Sequence, residues 1–315
     1  MFWLVRRVAV SLILLWIVTS LVFLSIHMVP GDPAELLLSN EGQSANEAAV
    51  AEMRQRLGLD KPLHVQYLEK MAALARGDLG RSIVDGSSIS DQLARRLPRT
   101  LELVAMASLL SILIGVPAGV FAALRRGGGF DRIGSAVTGI TQSVPVFVKG
   151  TVMVLVFAQM LRWVPAGGYV ALAEAPLRHL LLLFMPALSI AIGLSGVMFR
   201  ITRSSTLEII PQDYVRTARA KGLPRRRIVL RHILRNALMP VLTVFALSVG
   251  TLLGGTVLVE YVFNWPGLSG MLVNAVYARD YPIVVAVILV TSALFIFINL
   301  VVDVIYAVLD PRVRN

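Results

Sequence analysis

The side chains with chemical potential in this sequence are lysines and arginines, not nucleophiles or metal ligands. Lys149 stands alone inside a long apolar stretch, and Arg227, Arg231 and Arg235 recur at every fourth position. His27, His64, His179 and His232 are scattered, without metal-ligand spacing. There are no cysteines, so disulfides, thiolate metal sites and a cysteine nucleophile are excluded. No glycine is followed by lysine, which rules out a G-x-x-x-x-G-K-[ST] phosphate loop, and H-E-x-x-H is absent. Nothing resembles a nucleophile elbow or triad, and the apolar stretches lack the paired carboxylates of a proton relay. No catalytic, metal or cofactor site is expected on this chain. If the protein uses ATP, the ATPase must be another chain.

A lysine at the centre of a membrane span costs roughly 2.5–3.5 kcal/mol on insertion scales, so Lys149 must face a cavity or a partner. With Pro145 beside it, it is the candidate pathway residue, a cationic point favouring carboxylate-bearing ligands. The other readings are a subunit interface or pairing with a helix carbonyl. Asp303, near the end of the last apolar stretch, reads as an interface or capping residue.

The segment from Ile201 to Val241 concentrates the positive charge, with ten Lys/Arg between Arg200 and Arg235. Two helices are predicted in it. The first starts near Asp213, a plausible N-cap after Pro211, and stops at Gly222 with Pro224 beyond. Its centre, Thr217, Ala218 and Ala220, is small, so another surface can approach closely. The second runs from about Arg225 to Leu238. It has Arg227, Arg231 and Arg235 on one face and Val229, Leu230, Ile233 and Leu234 on the other. Such a helix suits a membrane surface.

These residues are positioned by an apolar chain. A hydrophobic fraction of 56% and a mean hydropathy of +0.74 exceed what a soluble domain carries and indicate a polytopic membrane protein. Six stretches are long enough to cross about 30 Å of hydrocarbon. They are Val8–Met28, Leu103–Leu124, Ile133–Leu161, Leu180–Phe199, Ala237–Val259 and Tyr281–Val302, the last with an apolar run that continues towards Leu309. The first looks like a signal peptide but is too long and lacks a cleavage site, so it reads as an uncleaved span.

The formal charge of +11 is explained by loops rather than nucleic acid. Seventeen Lys/Arg flank the spans on one side, against Arg162, Arg178 and Arg279 in the other side's short loops. Both termini and the 200–236 loop are therefore expected in the cytoplasm. The 29–99 loop is the only sizeable external region. It is predicted to be an ordered cap with helices over Ala45–Leu57 and Leu63–Arg76, LGLDKPL between them, and GDLGRS closing the second. The whole of 1–315 reads as one transmembrane domain. Ala107, Ser111, Gly115 and Gly119 form one small-residue stripe and Ala246, Gly250 and Gly254 another, both suited to close helix packing. Pro117, Pro145 and Pro186 interrupt spans, which neighbouring helices tolerate.

The Ile201–Val241 segment resembles the "EAA" loop of ABC-transporter permeases. Aligned on Gly222, Ala218 takes the last Ala and Thr217 the middle one, while Arg216 stands where the Glu would be. Met239-Pro240 falls close to the loop's Leu-Pro. YVRTARAKG is similar to the dipeptide, oligopeptide, nickel and glutathione import branch. The same branch is matched by HMVPGDP at 27–33, LGLDKPLHVQY at 57–67, GDLGRS at 77–82 and SVPVF with Gly150. Further on it is matched by VEYVFNWPGLSGMLVNAV at 259–276, RDYP at 279–282 and NLVVDVIYAVLDPR at 299–312. The resemblance covers nearly the whole chain. It points to the first of two permease subunits, the one with the long external loop.

The resemblance implies an all-α permease of type I importer architecture, multi-pass in the bacterial inner membrane. It implies a second homologous permease subunit, two cytoplasmic ATPases holding ATP and Mg, and an extracytoplasmic substrate-binding protein. The cargo would be a peptide, glutathione, a nickel chelate or a related solute. Asp213, Tyr214, Arg216, Thr217, Ala218, Ala220, Lys221 and Gly222 would form the coupling helix against an ATPase groove. Thr217 and Ala218 would make its closest contacts. Without the resemblance, the segment reads as a positive-inside loop holding an amphipathic helix. An ion-coupled secondary transporter is expected to show inverted repeats or intramembrane ion ligands, and neither is present. A channel is expected to close its pore by homo-oligomerisation.

Overall fold

Apolar runs of this length become helices because hydrocarbon offers no partners for backbone N–H and C=O groups. A computed structural model describes residues 2–28, 47–57 and 60–309. Expectations that fall on 29–46, 58–59 and 310–315, or on the side chains of His27 and Asp303, lie outside the described residues. The elements are α1 (Phe2–Met28), α2 (Glu47–Leu57), α3 (Leu63–Ala75), α4 (Ile89–Leu124), α5 (Gly129–Ser143) and α6 (Val146–Met153). They continue with α7 (Pro176–Ile209), α8 (Asp213–Ala220), α9 (Arg235–Gly255), α10 (Val257–Val262), α11 (Leu268–Tyr277) and α12 (Tyr281–Leu309). π-helical stretches extend α6 over Val154–Met160 and precede α9 over Ile228–Leu234. Five helices are long and apolar enough to cross a membrane, and a bent pair makes a sixth crossing if counted as one span.

The bent pair corrects the third expected span. Ile133–Leu161 is not one rod: α5 and the α6 segment meet at 101°. Proline is the reason. Pro145 has no N–H and pushes the residue before it out of helical geometry, and Val144 is extended at φ −85°, ψ 126°. The second expected span, Leu103–Leu124, lies within a longer helix. Ser88 Oγ accepts the Asp91 N–H at 3.3 Å, so α4 begins at Ile89 rather than Leu103.

The chain divides into two compact units, 1–7 with 96–270 and 294–315, and 8–95 with 271–293. In the first unit α7 is the common rod, packed by α4, α5, α6 and α9. Gly115 and Gly119 bring α4 onto the α7 backbone. A Cβ at Gly115 would lie 2.5 Å from the Ser195 carbonyl oxygen, and one at Gly119 would lie 2.6 Å from that of Phe199. α5 runs antiparallel along α7, with Gly134 against the Phe199 ring and Thr138 and Gln142 against Gly196. From the second small-residue stripe, Gly250 faces the Phe295 ring of α12.

In the second unit α3 docks on α1. Ser20 Oγ and the Tyr67 hydroxyl are 2.7 Å apart, and Phe23 meets Tyr67 edge to face. Gly77 and Gly80 turn the chain with φ of +77° and +87°, as GDLGRS predicts. Buried Ser82 then donates to the buried Asp280 carboxylate at 2.5 Å, joining the GDLGRS and RDYP stretches.

Gly115→Ala and Gly119→Ala should each cost about 1–3 kcal/mol by forcing α4 off α7. Gly139→Ala, with nothing within 4 Å of the new Cβ, should be neutral. Thermal unfolding of the purified, detergent-solubilised protein checks this, and equal midpoints for all three would refute the packing account.

Candidate functional site

The 200–236 loop folds into a turn of helix held on its own chain. α8 is pinned by Val215 and Ala218, which pack with Ile228, Ile233 and Leu223. It ends in a Schellman motif: Gly222 N–H donates to the Arg219 carbonyl at 2.9 Å and Leu223 N–H to the Ala218 carbonyl at 3.3 Å. Gly222 has φ +70° with open space around it, so the backbone angle alone calls for glycine there. Asn236 Nδ2 donates to the Tyr214 hydroxyl at 3.0 Å and ties α8 to the start of α9.

Several expectations for this loop are corrected. Asp213 is not the N-cap. Gln212 occupies that position, and Asp213 lies in the first turn, where its charge suits the helix dipole. Ala218 is only 5% exposed and faces its own chain, so it is not a surface contact. The Val215–Ala218 spacing of i, i+3 sets the buried face, and Thr217 falls opposite. The exposed side carries Asp213, Arg216, Thr217 and Ala220, flanked by Tyr214 and Lys221. Arg216 and Asp213 are 3.5 Å apart and highly exposed, a weak surface pair.

The second predicted helix is not separate. Arg225–Arg227, the π stretch and α9 run on as one rod into the membrane. Arg227, Arg231 and Arg235 are exposed as expected, but Leu230 is exposed too. The buried pair is Ile228 and Ile233, five residues apart, because a π turn takes more residues than an α turn.

Lys149 lies at the elbow of the bent pair. Its Nζ donates to the Thr141 carbonyl at 3.1 Å, in the last turn of α5, and approaches within 3.0 Å of where a Cβ at Gly193 would sit. A cation at a helix C-terminus satisfies a carbonyl that the helix leaves open. Pro145 starts α6 with its own carbonyl accepting from the Lys149 N–H at 3.2 Å.

Glu260, within VEYVFNWPGLSG, has a role that the sequence pattern does not assign. Glu260 is 1% exposed, and its Oε2 accepts from Ser269 N–H at 2.8 Å and Gly270 N–H at 3.3 Å. Thr100 Oγ1 donates to Glu260 Oε1 at 2.7 Å and accepts the Leu268 N–H at 2.9 Å. Together they cap the start of α11. Burial pushes the Glu260 carboxyl up, against the lowering effect of these hydrogen bonds. Gly267 is required because a Cβ there would overlap the carboxylate. Trp265 Nε1 donates to the Arg99 carbonyl at 2.9 Å, fixing the other side of the same turn. An acidic residue ending an apolar run ahead of a Pro-Gly turn was the available clue.

Among the described residues no three His, Cys, Asp or Glu side chains are grouped to hold a metal. His179 is buried with Nδ1 2.8 Å from the Val170 carbonyl oxygen, apart from the exposed His64 and half-buried His232.

Residues 115–315 match the family described as binding-protein-dependent transport system inner membrane component. Residues 1–104 match the N-terminal region of the same kind of component. The chain is 43% identical over 302 residues to the glutathione transport system permease protein GsiC of Salmonella choleraesuis (strain SC-B67), covering 95% of this chain and 94% of that one. It is 38% identical over 312 residues to a probable peptide ABC transporter permease protein, y4tP, of Sinorhizobium fredii, covering 99% of both. The inward-facing MetNI methionine ABC transporter superposes with a TM-score of 0.58 at 20% identity, over 70% of this chain and 96% of that chain, which shows a shared fold. The chain belongs to the binding-protein-dependent transport family and is an inner-membrane permease subunit of an ABC importer, a transport component rather than an enzyme.

Proposed function

We propose that this permease forms half of a translocation pathway with a second, homologous permease subunit. Two cytoplasmic ATPases, which hold the ATP and Mg, drive it, and an extracytoplasmic binding protein feeds it. The cargo is a peptide or a related carboxylate-bearing small solute such as glutathione or a nickel chelate. The observation that carries the coupling role is the two-sidedness of α8. One face is locked to its own chain by Val215 and Ala218, and the other exposes the small Thr217 and Ala220 between charged neighbours. A helix already docked on one side and bare on the other, at the end of the 34-residue α7, suits the groove of a moving partner. In this reading Thr217 and Ala220 make the closest ATPase contacts, with Arg216, Asp213, Tyr214 and Lys221 at the rim and Gly222 as the turn.

Thr217→Trp and Ala220→Trp should abolish binding-protein-stimulated ATP hydrolysis and uptake in reconstituted vesicles while the permease still inserts and pairs. Loss of docking by about tenfold corresponds to roughly 1.4 kcal/mol. Ala218→Glu is a different lesion, burying an unpaired carboxylate and unfolding the turn. Removing Arg227, Arg231 and Arg235 one at a time should give graded losses through weaker surface anchoring. Normal ATP-driven uptake by both tryptophan variants would leave the loop as a positive-inside anchor.

The 29–99 region serves in this reading as the docking cap for the binding protein. Its described part exposes Leu63, Leu68 and Val84, apolar side chains that suit a partner surface. Photo-crosslinkers at Leu68 and Val84 should capture the binding protein during turnover. Ser82 is turned inward and is not a useful probe. Failure of capture at both sites with intact transport would count against the cap.

Lys149 contributes one of its three N–H donors to Thr141, and in this reading the others meet ligand carboxylates at the elbow. Lys149→Met should slow uptake of acidic ligands more than of neutral ones of equal size. Parallel loss for both classes would make the lysine only a brace of the elbow.

A further inference from the structure

α5 meets α7 at both of its ends, and one of these contacts lies close to the coupling loop. At the elbow end Lys149 reaches the Thr141 carbonyl and lies against Gly193 of α7. At the arginine-rich end Asp131, in the first turn of α5, is 4% exposed and uses both carboxylate oxygens. Arg203 of α7 donates from Nε to Oδ1 at 2.5 Å and from Nη2 to Oδ2 at 2.9 Å. Oδ2 also accepts the Gly127 N–H at 2.9 Å, which closes the α4–α5 turn. Between these ends the contacts step antiparallel along α7, Gly134 on Phe199 and then Thr138 and Gln142 on Gly196.

Arg203 lies six residues before the end of α7 at Ile209, about 9 Å along the helix axis. The chain then passes into α8 through a three-residue turn, 210–212, that backbone hydrogen bonds tie to both helices. Ile210 N–H donates to Thr206, Gln212 N–H to Ile209, and Val215 and Arg216 N–H to Gln212. A displacement of α8 therefore reaches Arg203 through this short hydrogen-bonded turn and the last turns of α7. From there a two-point, charge-assisted contact hands it to α5. A forked guanidinium–carboxylate pair fixes orientation as well as distance, which a single hydrogen bond or apolar contact does not.

We propose that the Asp131–Arg203 pair is the strap that makes the bent α5–α6 span move with the coupling helix. Asp131 and Arg203 are then positioning residues for the coupling of ATP hydrolysis to transport. They touch neither nucleotide nor cargo. This rests on the reading of α8 as the ATPase contact.

The test is ligand transported per ATP hydrolysed, measured in vesicles containing the whole transporter. Asp131→Asn and Arg203→Gln should keep binding-protein-stimulated hydrolysis but lower transport per ATP by about fivefold or more, the range of an ordinary coupling free energy. Arg203→Lys, which keeps the charge and loses the fork, should fall between them and the parent. A pair that only holds the fold would lower hydrolysis and transport together and leave the ratio unchanged, which overturns the proposal. Loss of stimulated hydrolysis in Thr217→Trp reports separately on the docking reading. Because the chain has no cysteines, spin labels at Ser135→Cys and Ser204→Cys, both exposed, give a second readout. With the pair intact, the α5–α7 distance should be the same in the nucleotide-free and ATP-trapped states. In Arg203→Gln it should change between them. A distance that changes in the parent transporter overturns the strap even where the substituted proteins fail to assemble.

Discussion

The first unit depends on backbone-to-backbone contact between α4 and α7. In lipid there is no hydrophobic force to drive one apolar helix onto another, so association relies on close fit and polar contacts. Gly115 and Gly119 provide the fit, since the Ser195 and Phe199 carbonyls occupy the space a Cβ would need. With α4 seated there, α7 becomes a fixed rod along which α5, α6 and α9 arrange themselves. The same rod leads into α8, so the helix that organises the packing also carries the loop proposed for coupling.

The buried polar groups fall at the places where helices start, stop or bend. Glu260 and Thr100 take up the first N–H groups of α11, Lys149 takes a carbonyl from the last turn of α5, and Asp131 closes the turn before α5. Ser82 and Asp280 do the same for a turn in the second unit. Helix ends are where unpaired backbone groups arise, and an apolar surrounding makes each one expensive. In a chain with 16% charged residues, the buried ones among the described residues are mostly spent on backbone ends.

This division explains what the sequence disclosed. Local chemistry was readable: Gly222 followed by Pro224 marked the end of α8, Gly77 and Gly80 marked turns, and the long apolar runs marked the spans. What depends on a partner surface was not. Pro145 reads as a tolerated kink, yet with Val144 extended it turns the chain through 101°. Ala218 reads as a small contact residue, yet the apolar Val215 one turn earlier decides that it faces inward. The π stretch before α9 shifts the buried face from i, i+4 to the Ile228–Ile233 spacing and leaves Leu230 outside. Glu260, Asp131 and Asp280 were invisible as a class because their partners are distant in sequence: Thr100, Arg203 and Ser82 lie 160, 72 and 198 residues away.

The placement of the two fastenings on α5–α6 bears on how a bent span can serve a pathway. A helix pair broken at 101° has lost the continuous hydrogen bonding that would make it rigid. Left free, such an elbow would flex on its own and a push at one end would be absorbed at the bend. Lys149 removes that freedom by bridging from α6 back to α5, and the apolar and glycine contacts along α7 remove more. What remains is a bent but braced element whose position is referred to one rod. Apolar contacts alone permit sliding between helices, because neighbouring arrangements along a smooth seam differ little in energy. A forked ion pair has one good register, so its presence at the arginine-rich end converts a seam that can slip into one that transmits.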